Sequence, residues 1–311
     1  MNSKQEMKAE LVPPVTVHRY NGPKKPEMPD HCCKHQIPPL RVLASQVVSL
    51  SRAHDLDHLF FRKVIENPRL TPEYNGFNVS LARNQGHSAK SATTAIYTPL
   101  IDMTPSDPDT MMSAMIEAQR LTNECGQEIT VFTNDQQLYR VAVNITWVYP
   151  ELFINFKPRL GGMHTLMGFI ASVGTLMNNT GLTEIMQTAF GGVPKMLSGK
   201  KFPHNMRAMR MVVEELLRPS IETCDDYDQL MAILNNKASK SRTAKMWIDN
   251  FIKPVLLMMV FVRAEQEADW PLHLWAVGEM IPYFFAAGHC NYARYGLYYL
   301  RSMEQLPDNL L

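Results

Sequence analysis

The sequence predicts an α/β core of three or more strands followed by a mostly α-helical region. Three observations lead there. Residues 96–177 alternate strand-like and helix-like patterns, strand–helix–strand–helix–strand–helix. From Gly181 onward the periodicity is almost entirely helical. The chain of 311 residues is 45% hydrophobic and 20% charged, enough apolar material for a substantial core and too much for a disordered chain.

The elements follow in order. Residues 1–39 hold 7 of the 21 prolines with little apolar periodicity, and read as a disordered arm. Within it, DHCCKH offers His31, Cys32, Cys33 and His35, but adjacent cysteines without a second spaced pair do not make a zinc site. A helical lead-in spans 40–72, with Leu43, Val47, Leu50, Leu56, Leu59 and Phe60 as its apolar positions. The α/β core is expected over 73–180. It opens with YNGFNVSL, where Phe77, Val79 and Leu81 alternate as in a strand. A strand over Ile96 to Met103 follows, with Pro99 favouring an edge or a bulge.

Asp107 and Pro108 then suit the N-cap and first position of a helix, and Met111, Met115, Ala118 and Leu121 form its buried stripe. Gly126 ends it. A strand over Ile129 to Thr133 leads into a helix from about Gln136 to Val148. A third, Leu152 to Phe156, precedes Gly161-Gly162 and a helix from Met163 to Met177. Right-handed crossovers make such strands parallel. The helical region, 181–311, divides into 182–190, 203–218, 227–236, 243–266, 271–286 and 290–304.

Composition narrows function by exclusion. Lys plus Arg number 31 against 30 Asp plus Glu, so any nucleic-acid contact has to be local. Five scattered cysteines do not form a disulfide framework. The N-terminus lacks the apolar stretch of a signal peptide, and the longest apolar run, Val255 to Val262, is short of the ~20 residues that span a bilayer. An intracellular protein without a membrane span is expected, nuclear if it binds nucleic acid. The 21 methionines point to a soft, helix-rich core.

Several residues stand out chemically. Asp135, at the carboxyl end of a strand and the start of a helix, is placed either to face a ligand crevice or to cap the helix. His164, after the glycine pair, projects toward the same crevice or packs at a helix start. GGVPKMLSGKK is not a phosphate loop: Gly192 and Gly199 are too far apart, and Lys201 stands where Ser or Thr is needed. It leaves a basic cluster, Lys195, Lys200, Lys201, His204, Arg207 and Arg210. That cluster suits a phosphate backbone or a solvated helix face. In MIPYFFAAGHCNYARYGLYYL seven aromatics surround His289 and Arg294; such a stripe is core packing or, beside a cation, a base-stacking surface. The motifs G-x-S-x-G, HExxH, GxGxxG and C-x-x-C do not occur.

The segments IYTPLIDMTPSDPDTM, DQQLY, RLGGMH, FGGVPKMLSGKKFPHNMRAMRMVVEELL and GHCNYARYGL resemble an uncharacterised family. That family is multiplied in fish and cnidarian genomes and associated with transposable elements, and the resemblance covers about residues 70 to 311. The strand–Asp–helix core followed by helices is similar to ribonuclease-H-like transposases with a helical insertion. What the resemblance implies is a nuclease whose carboxylates hold two Mg or Mn ions. Asp135 matches the second acidic position and would be a metal ligand. The first position falls near YNGFNV, where Asn75 and Asn78 stand in place of aspartate and are poor ligands for a hard dication. Asp102 is a substitute only under a different strand order, and Glu279 is the candidate third carboxylate.

The expectation is therefore a transposon-derived protein with an incomplete catalytic site, touching DNA through Lys200, Lys201, Arg207 and Arg210. Related sequences run past LPDNLL, which implies a truncated reading frame or a domesticated remnant. Two other classes compete. One is a non-catalytic module that binds nucleic acid or protein; the other is a metal-dependent hydrolase using Asp135, His164 and His289.

Overall fold

The computed structural model describes residues 15–29, 44–84, 97–98, 100–200 and 202–304. The chain forms two compact units, one from residues 1–35 and 91–160, the other from 36–90 and 161–311. The second unit is thus interrupted in sequence by most of the first. His31, Cys32, Cys33, His35 and Lys201 lie outside the described residues.

The first unit holds helix α3 (Pro108–Glu124), strand β1 (Thr130–Asn134), helix α4 (Gln136–Val148) and strand β2 (Phe156–Leu160). The strands pair in parallel, from Thr130 opposite Phe156 to Asn134 opposite Leu160. Met111, Met112 and Met115 of α3 pack with Val141, Ala142 and Ile145 of α4 and with Phe153 and Phe156. The methionines supply the unbranched filling that two helices need over so small a sheet. Both helix starts are capped locally: Asp107 accepts from the Asp109 N–H and Asp135 from the Leu138 N–H, each at 2.8 Å. Gly126, at φ +73°, takes the left-handed turn beyond α3.

The expected disordered arm is partly built into this unit. Residues 15–29 form no helix or strand, yet the His18 N–H donates to Ser113 Oγ at 2.8 Å and the Tyr20 N–H to Asp109 Oδ1 at 2.6 Å. The Asn21 N–H donates to the Tyr149 hydroxyl at 3.0 Å. The first two turns of α3 and the end of α4 thus satisfy backbone groups that would otherwise need water.

The core of three or more strands is not formed: among the described residues the sheet has two strands. Of the segment 96–103, residues 97–98 and 100–103 take no strand conformation, and Leu100 is 94% exposed. A proline in the middle of this segment removes a ladder donor. The third expected strand, 152–156, is a turn with Ile154 70% exposed; pairing begins at Phe156 instead. YNGFNVSL is helical. Tyr74, Phe77 and Asn78 are buried at i, i+3 and i+4 while Val79 is 47% exposed, so the 3.6-residue period prevails over the two-residue one.

The second unit is all helix among its described residues: α1 (Ala44–Glu66), α2 (Tyr74–Asn84), α5 (Gly162–Leu176), α6 (Leu182–Gln187), α7 (Val193–Leu197), α8 (Phe202–Ile221), α9 (Tyr227–Lys240), α10 (Arg242–Trp247), α11 (Lys253–Glu267), α12 (Trp270–Ala286) and α13 (Cys290–Glu304). The helical region expected from sequence is therefore present, and α5, expected with the α/β core, belongs to it. Helix α11 is the hub. Val255 to Phe261 are all buried, the all-round apolarity of a helix enclosed by others, and it packs on α1, α5, α8 and α12. A π-turn (Ile248–Ile252) precedes it. Pro254, lacking an N–H, cannot continue the preceding ladder, and Tyr283 donates its hydroxyl to the Asp249 carbonyl at 3.2 Å.

Two glycines of GGVPKMLSGKK and its surroundings explain that segment structurally. A Cβ at Gly199, which has φ +80°, would lie 2.3 Å from the Met167 carbonyl oxygen. One at Gly174 would lie 2.2 Å from that of Leu197. The glycines let α5 and the α7 segment approach backbone to backbone.

At the centre of the unit Arg263 is 0% exposed. Its Nη2 meets Asp57 Oδ1 at 2.5 Å, and Tyr74 donates its hydroxyl to the same oxygen at 2.6 Å. Nη1 reaches Glu267 at 3.3 Å, and Glu267 also holds Arg52 at 2.6 Å. Burial raises the Asp57 carboxyl above its ordinary range, against the pull of Arg263 and Tyr74. Removing one partner strands the other charge. Asp57→Leu should therefore lower the unfolding free energy by about 3–5 kcal/mol, with Asp57→Leu plus Arg263→Met recovering most of it, as read by urea denaturation.

His54 gives a second expectation. It stacks on Tyr227 with ring centroids 3.9 Å apart. Burial lowers its pKa to about 4, with Asp228 and Asp55 opposing. Its stabilising contribution is complete above the unfolded value of ~6.5 and is lost as pH falls toward 4, because protons then bind the unfolded chain more readily. With the ring partly exposed, this amounts to a loss on the order of 2 kcal/mol. Stability curves at pH 4 to 7 should show that slope in the wild type and a flatter one in His54→Phe.

Candidate functional site

The residues expected to do chemistry are dispersed. Asp135 spends its carboxylate on the first turn of α4. Asp102 is exposed in a segment without regular structure. Glu279 is exposed on α12, in the other unit. Asn75 and Asn78 lie on α2 and at no strand end; Asn75 is exposed, and Asn78 is buried and donates to Gln266 Oε1 at 3.1 Å. A two-metal site needs carboxylates that converge on ions ~3.5–4 Å apart. Among the described residues no three His, Cys, Asp or Glu side chains come together to hold a metal. The donor set of the described residues does not fit Mg or Mn.

His164 and His289 belong to the helical unit and sit on the seam between α5 and α13. The Tyr292 hydroxyl donates to the His164 carbonyl at 2.8 Å, while His289 Nδ1 lies 3.2 Å from Ser172 Oγ. Ser172 is two turns beyond His164, a rise of ~12 Å, so the two histidines serve different levels of one helix contact. Gly168 lies between them, where a Cβ would come 2.7 Å from the Tyr292 ring. Much of the aromatic stripe is core: Phe284, Tyr295 and Tyr299 are buried and Tyr292 stacks on Phe284 at 5.0 Å, while Phe285 is 56% exposed. Arg294 is exposed and lies over the Tyr295 ring, 5.6 Å from its centroid.

The buried His273 meets the exposed Glu265 in a polar contact that the sequence does not announce. His273 Nδ1 lies 2.6 Å from Glu265 Oε1, off the line of an aligned hydrogen bond, and Nε2 lies 2.9 Å from the Tyr299 hydroxyl. A Cβ at Gly162 would stand 2.9 Å from the Glu265 carboxylate. One glycine of RLGGMH thereby lets a carboxylate approach the positive end of α5.

The expected cation cluster divides in two. Arg210 has a side chain only 9% exposed and meets Glu214 and Glu73, each at 2.5 Å. Its guanidinium also lies 5.2 Å from the Phe60 centroid. Burial raises the Glu214 carboxyl, with Arg210 opposing. Arg207 is exposed and reaches the other oxygen of Glu73 at 3.0 Å. Lys200 is exposed. These arginines are therefore engaged by carboxylates.

A second basic surface carries no sequence motif. Residues 229–248 carry Lys237, Lys240, Arg242 and Lys245 and no Asp or Glu. All four are exposed, at the end of α9 and the start of α10, where Ser241 caps α10 through the Ala244 N–H. Lys237 donates to Ser220 Oγ at 2.8 Å and Lys245 pairs with Asp249 at 2.6 Å. Neither Lys240 nor Arg242 enters an ion pair among the described residues. Cations suit a helix C-terminus, which accounts for Lys237 and Lys240; Arg242 opens the next helix, where that account fails. The usable signal was the acid-free run itself.

If Asp135 acts as a cap, Asp135→Ala should cost about 1 kcal/mol of unfolding free energy and Asp135→Asn a few tenths, a ranking that chemical denaturation resolves.

Among the described residues no helix is long and apolar enough to cross a membrane. No curated protein and no solved structure matches the chain. One family model does, over residues 73–228 and 220–311, beginning at the edge of α2 and spanning the rest of the protein. With most of its length so matched, the chain belongs to the family described as "Domain of unknown function (DUF8702)".

Proposed function

We propose that this protein is a transposon-derived, non-catalytic module that binds nucleic acid through the exposed cations Lys240 and Arg242, unpaired among the described residues and flanked by Lys237 and by Lys245, which Asp249 partly neutralises. The observation that carries the reading is that surface: four cations over the α9–α10 junction in a run without a carboxylate. Polyphosphate binding needs this local excess, which a chain of net charge +1 does not supply globally. Exposed Asn235, Asn236, Ser239 and Thr243 add neutral donors on the same stretch. Lys200, also exposed, extends the candidate contacts; Arg207 and Arg210 are already held by Glu73. The transposon origin rests on the resemblance of DQQLY, RLGGMH and GHCNYARYGL. The capping role of Asp135 and the dispersal of carboxylates among the described residues favour a non-catalytic module.

Fluorescence polarisation with a labelled DNA duplex should show affinity falling steeply with salt. Lys240→Ala plus Arg242→Ala should weaken binding and reduce the slope of log K against log salt by about 0.9 per lost contact. Binding indifferent to salt and to these substitutions would assign the module to a protein partner. Incubation of DNA with Mg or Mn should yield no cleavage; robust cleavage abolished by Asp135→Ala would overturn the non-catalytic reading.

A further inference from the structure

A cavity of about 360 Å³ opens in the helical unit beside the Arg207–Glu73–Arg210 cluster. Met206, Met258 and Met259, with Val262, supply much of its apolar lining, and Glu73, Arg207 and Arg210 are among its polar groups. Its size sits near the small end of ligand pockets, which run ~300–1,000 Å³. Apolar walls with a few convergent polar groups are the usual composition of such sites.

The arginines form a clamp. Arg207 Nη2 lies 3.0 Å from Glu73 Oε1, and Arg210 Nη2 lies 2.5 Å from Oε2, so each carboxylate oxygen has its own guanidinium. The two arginines are three apart on α8, adjacent on one helix face. They differ in anchorage. Arg210 is fixed by Glu214 and by the Phe60 ring, whereas Arg207 is 62% exposed. Glu73 is 57% exposed, precedes α2 and is bound to the clamp by its side chain. An exposed carboxylate can swing into water without unfolding a helix. The clamp it leaves is matched to a carboxylate.

The geometry points to a binding site for a small amphipathic carboxylate, with Glu73 as a tethered occupant that competes for the Arg207–Arg210 clamp. The ligand's carboxylate would replace that of Glu73, and its compact apolar body would fill the methionine-lined cavity. Methionine suits this role because its flexible thioether adapts to different shapes. The site is independent of the nucleic-acid reading, since it uses none of the cations at the α9–α10 junction.

Octanoate is the probe, with octan-1-ol as the uncharged control, titrated calorimetrically into the full chain. Methyl NMR of the methionines locates any binding. Glu73→Gln removes the competitor's charge and should bind octanoate about tenfold more tightly than the wild type, the scale of one charge-assisted contact. Arg207→Ala, a substitution at an exposed side chain, should weaken binding about tenfold or more. Octan-1-ol should leave the Met206, Met258 and Met259 methyl signals unmoved at the same concentrations. The proposal is overturned if Glu73→Gln binds no octanoate, if Arg207→Ala binds as well as the wild type, or if the alcohol binds as tightly as the acid. Circular dichroism of each variant verifies that the helices are intact, so that loss of binding reads on the clamp.

Discussion

A guanidinium closed off from water sets the terms for the helical unit. Arg263 sits on the most enclosed helix, α11, and a buried charge of that kind is tolerated only with partners in hydrogen-bonding geometry. Asp57 supplies the charge from α1, Tyr74 buttresses Asp57 from α2, and Glu267 extends the network to Arg52. Three helices are thereby held to one mutual register by polar contacts, around which the apolar packing of Phe60, Phe77 and Met259 is arranged. The ion pair need not add net stability to do this. A misregistered packing would bury an unpaired charge, and that penalty is larger than what one more apolar contact returns.

Features determined within a few residues were readable in the sequence. Asp107 with Pro108 and the Met111–Met115 stripe announce a cap and a face that local geometry nearly dictates, and both stand as expected; for Asp135 the sequence left a cap and a ligand crevice open, and its carboxylate caps α4. The parallel pairing of the strands followed from the intervening helix. Segments compatible with two periods were not readable. Tyr74, Phe77, Asn78 and Leu81 fit a helix as well as Phe77, Val79 and Leu81 fit a strand, and only the partner surface decides. The segment around Leu100 is apolar enough for a strand, but apolarity does not supply a neighbour to pair with. Pairings between distant residues leave no local trace at all, which is why Asp57–Arg263 and Glu73–Arg207 were invisible despite their consequences.

The cations show the same division in terms of chemistry. Arg207 and Arg210 look in sequence like part of a basic cluster running from Lys195, yet each faces a carboxylate brought in from before α2. Lys240 and Arg242 look unremarkable, two charges in a polar stretch, yet no acidic residue follows until Asp249. What matters for an anionic partner is the charge left over after the fold has taken its share. That remainder is a property of tertiary structure, and Lys240, Arg242 and Lys200 belong to it.

The interruption of the helical unit bears on how the protein is made. Asp57 and Arg263 stand 206 residues apart, with nearly all of the other unit between them in the chain. At ~5–20 residues per second on a ribosome, α1 emerges some ~10–40 s before the cation that completes its core. During that interval the apolar side of α1, with Phe60 and Phe61, has no α11 to cover it, while residues 91–160 are already complete. Closing so long a loop adds little to the equilibrium cost, which grows only logarithmically with length. Its effect is on order of events: the interrupting unit can fold as it is synthesised, and the interrupted one matures last.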